Sequence, residues 1–324
     1  MIKRSWLSRL PFLLFSFLLF NQCGKEEITL TWQKIEVPTN NTLRTVYFAD
    51  AQNGWIFGGN TWERGIALRT RDGGKTWQKD SLQQVALYGF GADTEGSVLA
   101  TGYIAQVFSG SLADSNYGLT NQPLFYWARD VAAHSLKNDG FITVGGGGWV
   151  GGTIVRTWIN GVTKIDTSFK QEFSSVCFSD DSTVHAVGYG QVIRSTNGGK
   201  TWKLNGAKGD FFQSVCFPTV KTGFIVGFSG TILKTTDGGE TWITLRDGNA
   251  LSVSSEPFRA VFFSDALRGY IVGDEGLFWQ TTDGGETWKV VKDTPKVDFF
   301  DVFVKNTEGW IVGADGLVLK FEAN

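Results

Sequence analysis

One methionine, two histidines and three cysteines in 324 residues leave few tools for several kinds of chemistry. His134 and His185 are far apart in sequence, and no Cys/His cluster shows metal-ligand spacing. No metal centre is expected. The formal net charge is -2, and no stretch concentrates lysine and arginine, so nothing attracts nucleic acid over long range. The glycine run "GGGGWVGG" leads from one strand-like stretch into another rather than opening a helix, which excludes a nucleotide cradle. No cofactor is expected. The longest apolar run, from Pro11 to Phe20, has about ten residues, whereas a membrane-crossing helix needs about 20. A permanent transmembrane anchor is therefore disfavoured.

That short run has another use. Lys3, Arg4 and Arg9 precede it and "NQCGKEE" follows, so residues 1–23 form a signal peptide ending at a lipoprotein-like cysteine, Cys23. The expected protein is exported, as a bacterial outer-membrane or cell-surface lipoprotein or otherwise in the periplasm, touching membrane only through an N-terminal lipid anchor. Cys177 and Cys216 both occur in the phrase "SVCF", where sister repeats place Tyr47, Phe262 and Phe303. They read as core hydrophobes, with a disulfide as the alternative.

Glycine (41), tryptophan (13) and phenylalanine (26) are abundant, a mixture that suits short strands, tight turns and layered aromatics. The fold class is all-β. "KTTDGGETW" at 234–242 returns as "QTTDGGETW" at 280–288, with sister copies ending at Trp77 and Trp202. Asn197, Asp237 and Asp283 follow one another at intervals of about 40 to 46 residues, and Asp72 lies about three such intervals before Asn197. A second phrase, intact in "LRTVYFADAQNGWIFGG" and "FRAVFFSDALRGYIVGD" and worn elsewhere, brings the number of repeats to seven. Each repeat contains four alternating runs, an antiparallel meander that buries both faces only when stacked radially. The last repeat ends without a Thr-Trp run while "LTWQKIEVPT" supplies one near the N-terminus. These observations predict a seven-bladed β-propeller closed by an N-terminal velcro strand. It fills a single domain, residues 24–324, with blades near 44–82, 84–122, 124–170, 173–206, 211–247, 257–293 and 298–324 plus 28–38.

In the recurring turn, the oxygen of Asp72, Asn197, Asp237 or Asp283 can accept from the turn's own amides, and the glycines provide positive φ. Trp77, Trp202, Trp242 and Trp288 can each bury a large ring against a neighbouring sheet. Four equivalent turns on one rim cannot converge on a single substrate, so a structural role is expected for all eight residues. This Ser/Thr-x-Asp-x-Gly-x-Thr-Trp pattern resembles the Asp-box (BNR) repeat. The longer phrase "FRAVFFSDALRGYIVGDEGLFWQTTDGGETW" resembles the repeat of the photosystem II stability/assembly factor family, over most of residues 28–324. The resemblance implies an exported or lumenal, non-enzymatic propeller that binds a partner protein during assembly through an arginine-bearing face.

Innermost strands begin at the mouth of the central channel. One start position per repeat gives Arg44, Tyr88, Arg129, Ser174, Gln213, Arg259 and Phe300, and the nearby loops add Trp62, Arg64, Trp149 and Tyr189. Three guanidiniums and exposed aromatics can clamp a carboxylate, a phosphate or an acidic peptide. The alternative partner for these arginines is a carboxylate of a neighbouring repeat. A second basic column, Arg69, Arg156, Arg194, Lys234 and Lys320, reads as solvated strand ends. The expected partner is a protein or glycan, bound by a monomer. No catalytic residue is assigned. The competing reading is a sialidase-like or other glycoside hydrolase acting at the channel mouth, with Glu63 beside Asp274, Glu275 or Asp315 as its carboxylate pair. Arg44 is followed by Thr45-Val46 instead of the Ile-Pro that opens the sialidase motif.

Overall fold

The computed structural model describes residues 26–60, 64–93, 96–102, 106–111, 118–121, 127–134, 140–147, 151–157, 163–207 and 209–323. Two short strands come first, Glu27–Ile28 (β1) and Trp32–Lys34 (β2). The meanders then follow in chain order. Leu43–Phe48, Gly54–Gly58, Arg64–Thr70 and Gln78–Val85 are β3 to β6, and Leu87–Ala92, Ser97–Gly102, Gln106–Ser111 and Gly118–Asn121 are β7 to β10. Trp127–Ala133, Phe141–Gly146, Gly152–Thr157 and Thr163–Phe169 are β11 to β14. Phe173–Phe178, Val184–Gly188, Gln191–Ser195 and Lys203–Asn205 are β15 to β18, and Phe212–Cys216, Gly223–Gly227, Ile232–Thr235 and Ile243–Arg246 are β19 to β22. Phe258–Phe263, Gly269–Gly273, Phe278–Thr281 and Lys289–Val291 are β23 to β26, and Phe299–Lys305, Glu308–Gly313 and Val318–Glu322 are β27 to β29.

The molecule is an all-β propeller, but the expectation of seven equivalent four-stranded blades is corrected. Six sheets are four-stranded, whereas the strands between 258 and 291 form a five-stranded sheet of order β1-β26-β25-β24-β23. Its extra strand lies parallel, with Glu27 opposite Val290 and Ile28 opposite Val291. The N-terminal residues therefore serve two sheets, because Trp32–Lys34 pairs antiparallel with β29 in the sheet of order β2-β29-β28-β27. Two consecutive residues in extended pairing are too short for periodicity to reveal, which is why the composition of "EEITL" gave no sign of them.

Second strands are apolar on both faces because each is covered on both sides. Gly223–Gly227 and Gly269–Gly273 are buried throughout, with Phe224, Ile225, Val226, Tyr270, Ile271 and Val272 fully inside. Inner strands alternate, as a half-buried face requires: Leu43, Val46 and Phe48 are buried while Arg44, Thr45 and Tyr47 are not. The inner strands β3, β7, β11, β15, β19, β23 and β27 each approach the next, and β27 returns to β3. The core is accordingly divided into clusters between adjacent sheets. One joins Leu43, Val46, Phe48 and Ile56 to Trp310, Val312 and Val318, where the last sheet meets the first long one. Among the described residues no helix is long and apolar enough to cross a membrane.

Candidate functional site

A single backbone irregularity recurs at the start of every inner strand. Pairing with the second strand skips one residue between Leu43 and Thr45, Leu87 and Gly89, Ala128 and Asp130, Phe173 and Ser175, Phe212 and Ser214, Phe258 and Ala260, and Phe299 and Asp301. The skipped residues are Arg44, Tyr88, Arg129, Ser174, Gln213, Arg259 and Phe300. A bulge frees its residue from the ladder and re-aims the side chain. Here it turns one side chain per sheet toward the channel mouth.

The freed side chains form a ladder in which cation and ring alternate. The Arg259 guanidinium lies 5.8 Å from the Phe300 ring centre, Arg44 lies 5.3 Å from Phe300 and 4.8 Å from Tyr88, and Arg129 lies 5.6 Å from Tyr88. Trp127 flanks the far end, 4.2 Å from Arg129. Rings between guanidiniums keep like charges apart while their faces attract both neighbours. Tyr189 lies on the same side, its backbone N–H donating to the Glu172 carbonyl at 3.2 Å. Arg64 stands exposed at the head of β5. Trp62, Trp149 and Glu63 lie outside the described residues, as does Cys23.

The three arginines divide over their partners. Arg259 grips Asp274 with Nε at 2.6 Å and Nη2 at 2.9 Å, and Arg129 reaches the buried Glu172 at 3.2 Å. Arg44 has no carboxylate among the described residues, and its buried Nε lacks a hydrogen-bond acceptor. Burial lowers the Arg44 pKa, Tyr88 opposes it, and the like charges of Arg129 and Arg259 add smaller lowering effects. A cation under that pressure gains most from an incoming anion. On the other side of the ring, the buried Nε2 of Gln213 also lacks a partner.

On four of the inner strands the next residue ties neighbouring sheets together. Asp301 accepts from the Val46 N–H at 3.0 Å, Asp130 from Val176 at 2.9 Å, Ser175 from Val215 at 3.3 Å and Ser214 from Val261 at 3.2 Å. Each bond satisfies an amide that the bulge would otherwise leave unpaired. Burial pushes the carboxyl of Asp130 up to about 6 and that of Asp301 up to about 7, against the amides that pull the other way. Cys177 and Cys216 are free thiols packed into inter-sheet clusters, and burial pushes the Cys216 thiol up to about 11.

The opposite rim is differently made. Thr235 Oγ1 donates to Asp237 Oδ1 at 2.8 Å and accepts from the Gly239 N–H at 3.0 Å, while Asp237 accepts from the Thr241 N–H at 2.9 Å and its hydroxyl at 2.6 Å. Turns at Asp72, Asn197 and Asp283 repeat this network. Gly238 and Gly239 take φ of 75° and 78°. The second glycine also seats a ring from the preceding sheet. A Cβ at Gly285 would fall 2.5 Å from Phe224, and one at Gly74 would fall 2.8 Å from Trp310 Nε1. Phe224 stacks on Phe263 at 4.4 Å, and Trp288 closes edge-on to Phe263 at 5.9 Å. Trp77 and Trp242 stand edge-on to Phe48 and Phe217 in the same way, and Trp202 packs onto the cluster holding Ile142 and Ile193.

Four members of the second basic column are not solvated ends. Lys234 Nζ donates to the Gly284 carbonyl at 2.8 Å, Lys320 to Gly73 at 3.2 Å and Arg156 to Gly198 at 3.4 Å, and Arg194 pairs with Glu240 at 3.5 Å. Each ties its sheet to the recurring turn of the next. Of the carboxylates in the glycosidase reading, Asp274 is held by Arg259, and Glu275 and Asp315 occupy left-handed positions in short 3-10 turns, each with φ of 55°. Among the described residues no three His, Cys, Asp or Glu side chains converge as a metal site. Trp127, Glu172 and Phe228 were missed from sequence. Glu172 directly precedes an inner strand and Phe228 directly follows a second strand, so their place in the repeat was the available signal.

The family model described as "Photosynthesis system II assembly factor YCF48" matches residues 25–91, 207–297 and 246–324, more than half of the chain. The chain belongs to the YCF48 family. A photosystem II stability/assembly factor HCF136 of Cyanidioschyzon merolae is 36% identical over 56 residues, and the photosystem II assembly protein Ycf48 of Thermosynechococcus vestitus is 37% identical over 51 residues. Those stretches cover 17% and 16% of this chain and only 12% and 14% of the two relatives. In the fold, a solved YCF48 bound to a D1 peptide matches 93% of this chain and 98% of its own with a TM-score of 0.72 and 18% identity. That last likeness concerns fold alone.

Proposed function

We propose that this member of the YCF48 family is a non-enzymatic assembly factor that binds a partner protein by holding a carboxylate-bearing segment at the arginine mouth. The observation that carries the reading is Arg44, a half-buried cation flanked by two rings and two further arginines, with no carboxylate partner among the described residues. Arg129 and Arg259, already held by Glu172 and Asp274, present their remaining donors in fixed positions. The solved relative in complex with a D1 peptide supports a peptide as the type of ligand. Export through the leader, with lipid attachment at Cys23, belongs to the same proposal and places the partner in the cell envelope.

The test compares wild type with the Arg44→Ala/Arg129→Ala/Arg259→Ala variant in an affinity capture from native membranes, with captured proteins identified by mass spectrometry. A defined envelope protein held by wild type alone supports the reading. Capture of the same protein by a correctly folded triple variant overturns it.

A further inference from the structure

The mouth has two unlike halves. From Arg259 through Phe300, Arg44 and Tyr88 to Arg129 it alternates charge and ring, with each ring enclosed between guanidiniums. The remaining start positions are Ser174 and Gln213, both neutral, and the loops above them carry Tyr189 and Phe228, large aromatics 40% and 39% exposed. Phe211 joins these two loops: its ring lies 5.3 Å from Tyr189 and its carbonyl accepts from the Phe228 N–H at 2.9 Å. The Ser174 hydroxyl is spent on the backbone carbonyls of Phe212 and Val187. Gln213 Nε2 is buried without an acceptor among the described residues.

We infer that this neutral half is a second subsite of the proposed mouth, taking an apolar side chain of the same peptide whose carboxylate meets Arg44. The inference rests on the reading above and adds a sequence requirement to it. One feature favours a peptide that crosses from one half to the other. Arg259 links the halves physically, its guanidinium lying 4.8 Å from the Phe228 ring and 5.8 Å from Phe300, which is itself 5.3 Å from Arg44. That path is no longer than about five extended residues. Exposed aromatics beside a satisfied backbone supply contact area at low cost in side-chain order. The ligand class is therefore a short acidic segment with a large apolar residue within about five positions of its carboxylate.

The experiment uses fluorescence anisotropy with labelled six- to eight-residue peptides bearing one carboxylate, either a Glu side chain with an amidated terminus or a free C-terminus with no acidic side chain. Each is made with a Phe about three positions away and with Ala in its place. Wild type is expected to bind the Phe peptide about tenfold more tightly than the Ala peptide. The Tyr189→Ala/Phe228→Ala variant is expected to bind both at the weaker level, because Arg259 keeps its two bonds to Asp274 without the Phe228 ring. The two carboxylate sources decide whether a chain end or a side chain is held. Equal binding of the Phe and Ala peptides by wild type, or unchanged discrimination in the double variant, overturns the apolar subsite and leaves the arginine site intact. Loss of all peptide binding in wild type overturns both.

Discussion

The two ends of the inner strands obey opposite rules. At the rim of recurring turns four of the sheets repeat nearly the same residues, and their hydrogen bonds close locally: Thr235, Asp237, Gly239 and Thr241 satisfy one another within seven residues of chain. At the mouth the backbone device repeats while the side chains differ, giving Arg, Tyr, Arg, Ser, Gln, Arg and Phe at one position. Unused donors remain there on Arg44 and Gln213. The difference teaches where to look in a repeat protein: a constant residue at a constant place holds the sheets, and a variable residue on a constant bulge faces a ligand.

The largest effect should come from the rim. Gly239 combines φ of 78° with the His185 ring against the place a Cβ would take, whereas Gly198 has φ of 64° and nothing within 4 Å. Gly239→Ala is therefore expected to cost about 3 kcal/mol, combining backbone strain with overpacking, and Gly198→Ala only about 1 kcal/mol. Urea unfolding measures both, and equal costs would break the distinction between the two glycines.

Next in size is Arg44→Ala, expected to weaken ligand binding on the order of a hundredfold, with only a modest loss of stability because it gives up its contacts with the Tyr88 and Phe300 rings but no ion pair among the described residues. Lys234→Ala should behave in the reverse sense. It loses bonds to Gly284 and Glu286, lowering the melting temperature while leaving binding untouched. A thermal melt and a binding titration on each variant show whether the two ends separate function from stability in this way.

A smaller effect concerns pH. Asp301 binds its proton more tightly in the folded state, up to about 7, than an unfolded aspartate does near 4. Between those values the native state holds more protons, so its stability falls as pH rises through the window. Asp301→Asn, which keeps an acceptor for the Val46 N–H, should flatten that slope and raise the melting temperature at pH 8 by several degrees. Asp237 is the rim counterpart with the opposite sign. Its bonds, those from Thr241 foremost, hold the carboxyl down at about 2, so its contribution is present above about pH 4 and lost as pH falls toward 2. Asp237→Asn should remove that acid limb with a barely measurable change at neutral pH, since Asn197 already serves the same turn. Melting curves from pH 2 to 8 separate the two slopes.

Much of the propeller was legible in sequence because its turns need particular residues: an Asx oxygen, two glycines and a tryptophan cannot be exchanged freely at Asp237 to Trp242. The five-stranded sheet was not, because a two-residue parallel strand such as Glu27–Ile28 has no pattern of its own. The bulges escaped for a similar reason. A skipped residue alters pairing with the neighbouring strand, and pairing is not written in either strand alone. Choosing partners for the arginines had the same limit. Glu172 and Asp274 are separated from Arg129 and Arg259 by different numbers of residues, one in the following sheet and one in the same sheet. Only the folded ring decides that Arg44 has no carboxylate partner among the described residues.

The pairing of Trp32–Lys34 with Val318–Glu322 also has a consequence in time. During synthesis from the N-terminus, β2 waits for almost the whole chain before its partner exists. Until then the growing stack presents an uncovered apolar sheet face at each end, open to other unfinished chains. Closure is the last event and the one with the longest separation in sequence, which predicts slow refolding. It also predicts that shortened chains ending before β29 associate rather than remain single.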